Sequence, residues 1–299
     1  MAPGYSAVIL AGGDGTRLRS LTRALAGDER PKQFCHLLGA ETLLAATRRR
    51  ARRLIAPERL FSVVTRKHER FYGRELADAA PGTVVVQPEN RGTAPAILYG
   101  LLRVTDAAPM VILPSDHWVS DDDAFMARVE GALEAAQARP ELVILLGIEP
   151  DRPETEYGWI EPAELVLGPW PWPLYRVARF WEKPAPPIAE RLAHAGCLWN
   201  SFVIVAHPAA LRALIGRAVP ALADAFGPLV ARLGTPWEDE TARAVYARLA
   251  STDFSKRVLQ ARAPGLVVLP VSGVDWNDLG DPARALATRE RARWQLASA

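Results

Sequence analysis

The segment SAVILAGGDGTRL, residues Ser6–Leu18, joins a short apolar run to a turn that contains three glycines. The apolar run is typical of a strand that is covered on both faces. Glycines directly after such a strand let the backbone turn tightly and bring its N–H groups close to a phosphate. Arg17 adds a cation whose forked donors suit phosphate oxygens. Taken alone, the segment is equally consistent with a phosphate-binding turn and with a structural turn.

Two familiar phosphate-binding motifs fail on this segment. A Walker A loop needs a lysine after its second glycine, and no lysine follows here. A dinucleotide fingerprint needs the spacing Gly-x-Gly-x-x-Gly, but Leu18 occupies the third glycine position. The missing glycine disfavours an oxidoreductase.

Apolar runs alternate with amphipathic stretches through the first 150 residues. The predicted strands are Ser6–Leu10, Leu60–Thr65, Thr83–Gln87, Met110–Pro114 and Leu142–Ile148. The predicted helices are Thr42–Ile55, His68–Ala79, Thr93–Val104 and Asp121–Ala138, the last one starting with Ser120 and three aspartates. Repeated alternation of strand and helix predicts an α/β fold with a mainly parallel sheet and right-handed crossovers.

The second half of the chain continues the alternation with a different composition. Proline and tryptophan are dense in Gly168–Pro173, which predicts a loop between strands. Strands are predicted at Leu174–Trp181, Leu198–Ala206 and Gly265–Val271, and helices at Pro208–Val219, Glu238–Ala250, Ser255–Ala261 and from Asp281 onward. Because no internal repeat or long linker interrupts the chain, residues 1–299 are interpreted as one continuous domain.

Composition limits the class of protein. The 299 residues are 49% apolar and 23% charged, as in an ordinary globular protein with a large core. A net charge of +2 gives no sign of a nucleic-acid or membrane-surface binder. The arginines within Arg48–Arg53 spread around a predicted helix, which favours a solvated face over a binding patch. The isolated Cys35 and Cys197, and an N-terminus without a basic segment, predict a cytoplasmic protein with no signal peptide, disulfide or zinc site.

The combination of AGGDGTRL at Ala11–Leu18 with PKQF at Pro31–Phe34 resembles the signature of the sugar nucleotidyltransferases, in their mannose-1-phosphate guanylyltransferase branch. Further blocks resemble that branch in the same order along nearly the whole chain. They are Pro88–Ala96, Leu113–His117, Tyr157–Ile160, Glu182–Pro184, Leu198–Ser201 and Trp276–Gly280. The resemblance implies a Rossmann-like three-layer α/β/α domain, with a nucleotide-binding half at about 1–150 and a sugar-phosphate-binding half at about 151–299.

In the implied reaction, an oxygen of mannose 1-phosphate attacks the α-phosphorus of GTP, so that GDP-mannose forms and pyrophosphate leaves. A phosphate monoester is mostly dianionic at neutral pH, since its second pKa is about 6. No side chain therefore has to remove a proton, and catalysis consists of alignment and positive charge. The resemblance also implies Mg²⁺ or another divalent cation, which favours hard oxygen ligands and usually binds one or two carboxylates.

The resemblance assigns roles to particular residues. The catalytic set is Arg17, Lys32, Asp116, Lys183 and Asp278, of which Asp116 and Asp278 are the implied metal ligands. The nucleotide-binding set is Leu10, Ala11, Gly12, Gly13, Gly15, Thr16, Gln87, Asn90, Thr93 and Ala94. The sugar-phosphate-binding set is Gly158, Glu182, Lys183 and Asn200. Two roles stay open, since Thr93 is either a base-reading residue or a helix N-cap, and His117 is either structural or catalytic.

The chain departs from the branch at Arg19, Glu156, Phe202 and Asp253–Val258. Glu156 and Phe202 both stand where the branch commonly has glycine. Because the phosphate and metal blocks are kept while the sugar-side blocks change, the reaction type is better supported than the sugar. The alternatives are another hexose 1-phosphate or another nucleoside triphosphate, and a catalytically silent nucleotide-sugar sensor. No further domain is expected after the catalytic one, and a homodimer is compatible with the sequence.

Overall fold

The computed structural model describes residues 4–104, 108–261 and 265–298, with side chains up to residue 293. Its strands are β1 Ser6–Leu10, β2 Leu60–Thr65, β3 Val84–Gln87, β4 Met110–Pro114, β5 Trp118–Val119, β6 Val143–Ile148, β7 Gly158–Val166, β8 Leu174–Glu182, β9 Leu198–Ala206, β10 Leu266–Val271 and β11 Trp276–Asn277. Its helices are α1 Arg19–Ala26, α2 Leu43–Ala51, α3 Glu69–Glu75, α4 Thr93–Leu101, α5 Asp122–Ala138, α6 Pro186–His194, α7 Pro208–Ala218, α8 Pro220–Ala225, α9 Gly227–Val230, α10 Glu238–Tyr246, α11 Phe254–Arg257 and α12 Pro282–Ser298.

One sheet, in the order β3-β2-β1-β4-β9-β6-β10-β8-β7, contains every described strand except β5 and β11, which pair with each other. Its strands run in the same direction apart from β8 and β9. The prediction of an α/β fold with a mainly parallel sheet is confirmed. The antiparallel β9 lies between β4 and β6, and its first residues therefore lie at the edge where β4 ends.

Helices cover both faces of this sheet. On β1, Ala7 and Ile9 belong to a core shared with α2 and α5, whereas Val8 belongs to a second core shared with α4, α7 and α10. Successive strand residues point to opposite faces, so a strand that feeds two cores is apolar at nearly every position. This explains the unbroken SAVIL run, and it confirms the predicted three-layer arrangement.

Most predicted helices begin close to the observed ones but continue too far, whereas α5 ends at Ala138 as predicted. The helix predicted from Thr42 to Ile55 ends at Ala51, because the buried Ile55 continues the apolar pattern through the following turn. At α5, Ser120 is not the cap: Asp121 Oδ1 accepts hydrogen bonds from the N–H groups of Asp123 and Ala124, both at 2.9 Å. The sequence patterns also missed four helices and three strands, namely α1, α6, α8, α9, β5, β7 and β11.

The arginine run on α2 is not a solvated face, and this prediction is wrong. Arg48 and Arg50 are only 6% and 5% exposed. Arg50 Nε donates to Asp122 Oδ1 at 2.6 Å, and Arg49 and Arg53 also form ion pairs with Asp122. The cause is tertiary: the acidic first turn of α5 packs against α2, so that Arg50 is buried in an ion pair while Arg49 and Arg53 pair with the same carboxylate from exposed positions.

Cys35 and Cys197 are both free and buried. None of the described helices has by itself both the length and the apolar composition needed to cross a bilayer. The segments Pro208–Ala218 (α7) and Pro220–Val230 (α8 and α9) reach the required length and apolar composition only when they are counted together, and the chain bends by 117° between them.

Candidate active site

A cavity of about 390 Å³ opens at the edge where β1, β3 and β4 end and where β7 and β9 begin. Because β1 to β4 are parallel, the turns that follow them lie side by side at this edge. The predicted residues on the cavity wall are Leu10, Gly12, Gly13, Arg17, Gln87, Asn90, Thr93, Asp116, Gly158, Glu182, Lys183, Asn200 and Asp278. The fold therefore gathers both predicted halves of the site around one space.

Five predicted residues do not line this cavity, namely Ala11, Gly15, Thr16, Lys32 and Ala94. Ala11 and Ala94 are fully buried, while Thr16 is exposed. Gly15 has φ 58°, and a Cβ there would lie 3.0 Å from the backbone nitrogen of Lys32. Gly15 is thus required by the shape of the turn, since this conformation and this space both favour glycine.

The glycine-rich turn is fixed through its carbonyl groups. Gln33 Nε2 donates to the carbonyls of Ala11 at 3.0 Å and Gly13 at 2.8 Å, and Thr65 Oγ1 donates to the carbonyl of Gly12 at 2.8 Å. Within the described residues, the N–H groups of Gly12 and Gly13 make no hydrogen bond. The turn therefore keeps unpaired backbone donors at the cavity wall, which is what an anion-binding turn requires.

Gln87, predicted to read the base, supports this turn in the structure. Its Nε2 donates to Thr65 Oγ1 at 3.0 Å, and its Oε1 accepts from the Tyr246 hydroxyl at 3.3 Å. Gln87 is 1% exposed. A chain of hydrogen bonds thus runs from α10 through two strand ends to the carbonyl of Gly12.

Gly12→Ala is expected to destabilise the protein by roughly 1–3 kcal/mol, because a Cβ there would lie 2.2 Å from Gln87 Nε2 and 2.9 Å from Thr65 Oγ1. Neither buried group can withdraw without breaking the chain that holds the turn. Gly13→Ala is the matched control, since a Cβ at Gly13 meets nothing within 4 Å. Chemical denaturation of both variants checks this, and equal losses of stability would contradict it.

Lys32 joins the two predicted metal ligands from beneath the cavity. Its Nζ lies 3.3 Å from Asp116 Oδ2 and donates to the carbonyls of Asp278 and Leu279, the latter at 3.1 Å. Lys32 is 8% exposed. Its ammonium group therefore sets the spacing between the end of β4 and the segment after β11, in addition to any effect of its charge on the cavity.

The two aspartates fit a divalent cation. Asp278 Oδ1 accepts from the Gly280 N–H at 2.8 Å and lies 3.4 Å from Arg284, while Asp116 Oδ1 lies 3.7 Å from His117 Nε2. Both carboxylates are thus positioned, and both residues line the cavity. The described residues contain no cluster of three or more His, Cys, Asp or Glu for a metal. Two carboxylates suit Mg²⁺, whose other ligands are commonly phosphate oxygens and water.

His117 is mostly buried beside Asp116. Its ring packs edge-on against Trp276, with centroids 5.1 Å apart. Burial lowers the pKa of His117, with Lys32 acting in the same direction, and the neighbouring Asp116 opposes the shift only in part. A neutral imidazole held between a carboxylate and an indole favours the structural alternative for this residue.

The segment predicted to read the base is held by a late part of the chain. Thr93 Oγ1 accepts from the Phe254 N–H at 2.8 Å, and the Ala94 N–H donates to the Thr252 carbonyl at 3.1 Å. Gly92, at φ 90°, precedes α4, and so Thr93 is not the N-cap. A Cβ at Gly92 would lie 2.5 Å from the Thr252 oxygen, which explains why a glycine stands here.

The model of the nucleotidyl transferase family matches residues 6–290. The chain belongs to that family. It is 31% identical over 298 residues to the xanthan biosynthesis protein XanB of Xanthomonas campestris pv. campestris, covering 95% of this chain and 59% of XanB. It is 34% identical over 202 residues to the mannose-1-phosphate guanylyltransferase of Escherichia coli K12, and this match covers 65% of this chain and 41% of that enzyme.

A crystal structure from Thermus thermophilus, described as mannose-1-phosphate geranyltransferase, superposes on this nucleotidyl transferase with a TM-score of 0.78. It is 34% identical and covers 93% of this chain and 77% of the other. The chain spans about half the length of the curated relatives it matches. The resemblance inferred from the sequence blocks is confirmed.

Phe202 adds an aromatic wall to the cavity, near the residues predicted to bind the sugar phosphate. Its backbone has φ 59°, and its ring contacts Phe254 edge-on, with centroids 6.1 Å apart. A side chain in this left-handed conformation costs roughly 1–2 kcal/mol. The departure from glycine thus keeps a glycine-like backbone and adds a ring to the cavity. Nearby, burial raises the pKa of the Glu182 carboxyl, with Asp253 contributing.

The sequence blocks missed several residues of the site, including Gln33, Thr65 and Asp253. Gln33 belongs to the PKQF block, which was interpreted only through its lysine. Asp253 lies on the cavity wall in a block noted only as a departure from the branch. Thr65 has one signal, its position at the end of the strand parallel to β1.

Proposed function

We propose that this nucleotidyl transferase makes GDP-mannose and pyrophosphate from GTP and mannose 1-phosphate. The principal support is one observation: a turn with unpaired N–H groups, two cations and the two predicted metal-ligand carboxylates converge on one cavity. The cations are Arg17 and Lys183, and these two carboxylates belong to Asp116 and Asp278; Glu156, Glu182 and Asp253 also line the cavity. The names of the relatives support the choice of GTP and mannose 1-phosphate.

In this proposal the residues bind and align two anions. The turn at Gly12 and Gly13, with Arg17, binds the triphosphate, and Lys183 binds the sugar phosphate on the opposite wall. The dianionic sugar phosphate attacks without a general base, so the residues contribute orientation and positive charge. Mg²⁺ or another divalent cation, held by Asp116 and Asp278, neutralises charge on the phosphates when it is bound.

Specificity depends on the two ends of the cavity. Glu182, Asn200 and the backbone of Gly158 bind sugar hydroxyls in this proposal. At the other end, the base is read by the segment from Asn90 to Ala94, and Gln87 acts through the turn it supports. The aromatic wall at Phe202 favours one alternative, namely that another hexose 1-phosphate is preferred over mannose 1-phosphate.

A substrate panel tests the proposed function. Pyrophosphate release is measured with Mg²⁺, each of the four nucleoside triphosphates, and mannose, glucose and fucose 1-phosphates in turn. Release with GTP and mannose 1-phosphate above all other pairs is the expected result. Release with another pair would keep the reaction and reassign the substrates, while nucleotide binding without release would favour a sensor.

Phe202→Gly is expected to reduce discrimination among hexose 1-phosphates by roughly tenfold, because loss of the ring enlarges the sugar end of the cavity. Phe202→Ala is the control, since it removes the ring and keeps a side chain at φ 59°. The ratio of kcat/KM values across the panel is the measurement. An unchanged ratio in both variants would show that Phe202 does not shape the sugar site.

A further inference from the structure

The Glu156 side chain bridges two cations that belong to different halves of the site. Its Oε2 lies 3.4 Å from Arg17 Nη1 and 3.2 Å from Lys183 Nζ. All three side chains are about half exposed. Both nitrogens contact the same oxygen. The distance between Arg17 Nη1 and Lys183 Nζ therefore cannot exceed the sum of these two distances.

Arg17 and Lys183 are the cations that the proposed function assigns to the two substrate phosphates. During attack, an oxygen of the sugar phosphate reaches the α-phosphorus, and so the two phosphates must meet between these cations. Glu156 Oε2 lies between them in this structure. A carboxylate oxygen is a charged acceptor like a phosphate oxygen, and both bind the same donors in similar geometry.

The backbone around Glu156 is fixed by contacts that do not involve Arg17 or Lys183. Its N–H donates to Glu154 Oε1 at 3.0 Å, and the other oxygen of Glu154 lies 2.9 Å from Arg284. The Glu154 carbonyl accepts from the Trp159 indole at 2.8 Å. Displacement of the Glu156 carboxylate therefore needs only a rotation of its exposed side chain, which is fast compared with opening of a loop.

We propose that Glu156 is an internal competitor for phosphate, which occupies the position between Arg17 and Lys183 until a substrate phosphate displaces it. The inference rests on the proposed function for the identity of those phosphates. Glu156 then lowers the affinity for both substrates and selects against weakly charged ligands. Exposed ion pairs are individually weak, so the expected effect on affinity is roughly 2- to 10-fold.

Binding of inorganic pyrophosphate, measured by calorimetry at low ionic strength and fixed Mg²⁺, tests this inference. Glu156→Gln is expected to bind pyrophosphate roughly 2- to 10-fold more tightly than the unmodified protein. Glu164→Gln removes the same charge from an exposed position on β7 outside the cavity and should bind like the unmodified protein. The gain in pyrophosphate affinity should be smaller when Glu156→Gln is combined with Lys183→Ala, because one of the two cations that Glu156 contacts is then absent.

Equal or weaker pyrophosphate binding by Glu156→Gln would overturn the inference. The same gain in Glu164→Gln would also overturn it, because it would reduce the effect to net charge. Pyrophosphate has neither base nor sugar, so this result does not depend on which substrates the enzyme uses. A gain in pyrophosphate binding without any GDP-mannose formation would refute the proposed function and retain the role of Glu156.

Discussion

Asp116→Asn and Asp278→Asn are each expected to reduce pyrophosphate release by about 10³-fold or more, equal to about 4 kcal/mol in the activation barrier. Each substitution removes one of the two carboxylate charges that are proposed to hold a divalent cation at the cavity wall. The fold should persist, because asparagine keeps an oxygen that accepts the Gly280 N–H at position 278. Steady-state release with Mg²⁺ and a thermal melt of each variant are the measurements.

Asp281→Asn is the matched control for this prediction. Asp281 lies three residues after Asp278 and forms an ion pair with Arg284 at 2.7 Å, but it does not line the cavity. Its variant should release pyrophosphate at close to the original rate. Near-normal rates in Asp116→Asn or Asp278→Asn would reject the metal-ligand role of that residue, provided that its melt is unchanged.

Asp122→Asn is expected to lower the free energy of unfolding by about 3 kcal/mol, or the melting temperature by roughly 5 °C. The Asp122 side chain is 15% exposed and lies 2.6 Å from Arg50, whose side chain is 6% exposed. Loss of its charge leaves Arg50 buried without a counter-ion and also removes a partner of Arg49 and Arg53. Thermal and chemical denaturation measure the loss.

Asp123→Asn separates this network from the general effect of acids at a helix start. Asp123 also lies in the first turn of α5, but its side chain is 83% exposed and its ion pair is with Arg53 alone. Asp123→Asn should therefore lower the free energy of unfolding by less than about 1 kcal/mol. Similar losses for both variants would contradict the role assigned to the buried pair.

The same network predicts that the protein loses stability as the solution becomes acidic. Burial alone would raise the pKa of Asp122, but Arg50 and Arg49 outweigh it and hold the pKa below its ordinary value. The stabilisation is therefore complete above the unfolded pKa of about 3.9 and is lost as the pH falls through the lower folded value. Asp122→Asn should accordingly lose less stability than the original protein between about pH 5 and pH 3.

Local patterns predicted the fold class because their causes are local. The apolar runs that became β1, β2, β4 and β9 have the observed bounds, since a strand buried on both faces leaves an unbroken apolar signal. The direction of β9 was not predictable in this way, because pairing partners are set by contacts between distant segments. Strand β7 was missed because the half-buried Glu161, the exposed Glu164 and Pro162 interrupt the apolar pattern.

The site was predicted to the extent that single blocks identify it. Gly12, Asp116 and Lys183 were named from their blocks, and the structure places all three on one cavity wall. The supports of these residues were not predictable. Gln33 and Thr65 hold the turn through hydrogen bonds to carbonyl groups. No periodicity or spacing in the sequence indicates these contacts.

The sequence by itself determined the nucleotidyl transferase family, the alternation of strands and helices, and most of the residues that line the cavity. These features depend on residue type and short spacing. The tertiary structure decided how Lys32 joins Asp116 to Asp278, how Asp122 pairs with the buried Arg50, and that Glu156 bridges Arg17 and Lys183. Such contacts join residues far apart in the chain, so their distances depend on how the whole sheet packs and not on any local pattern.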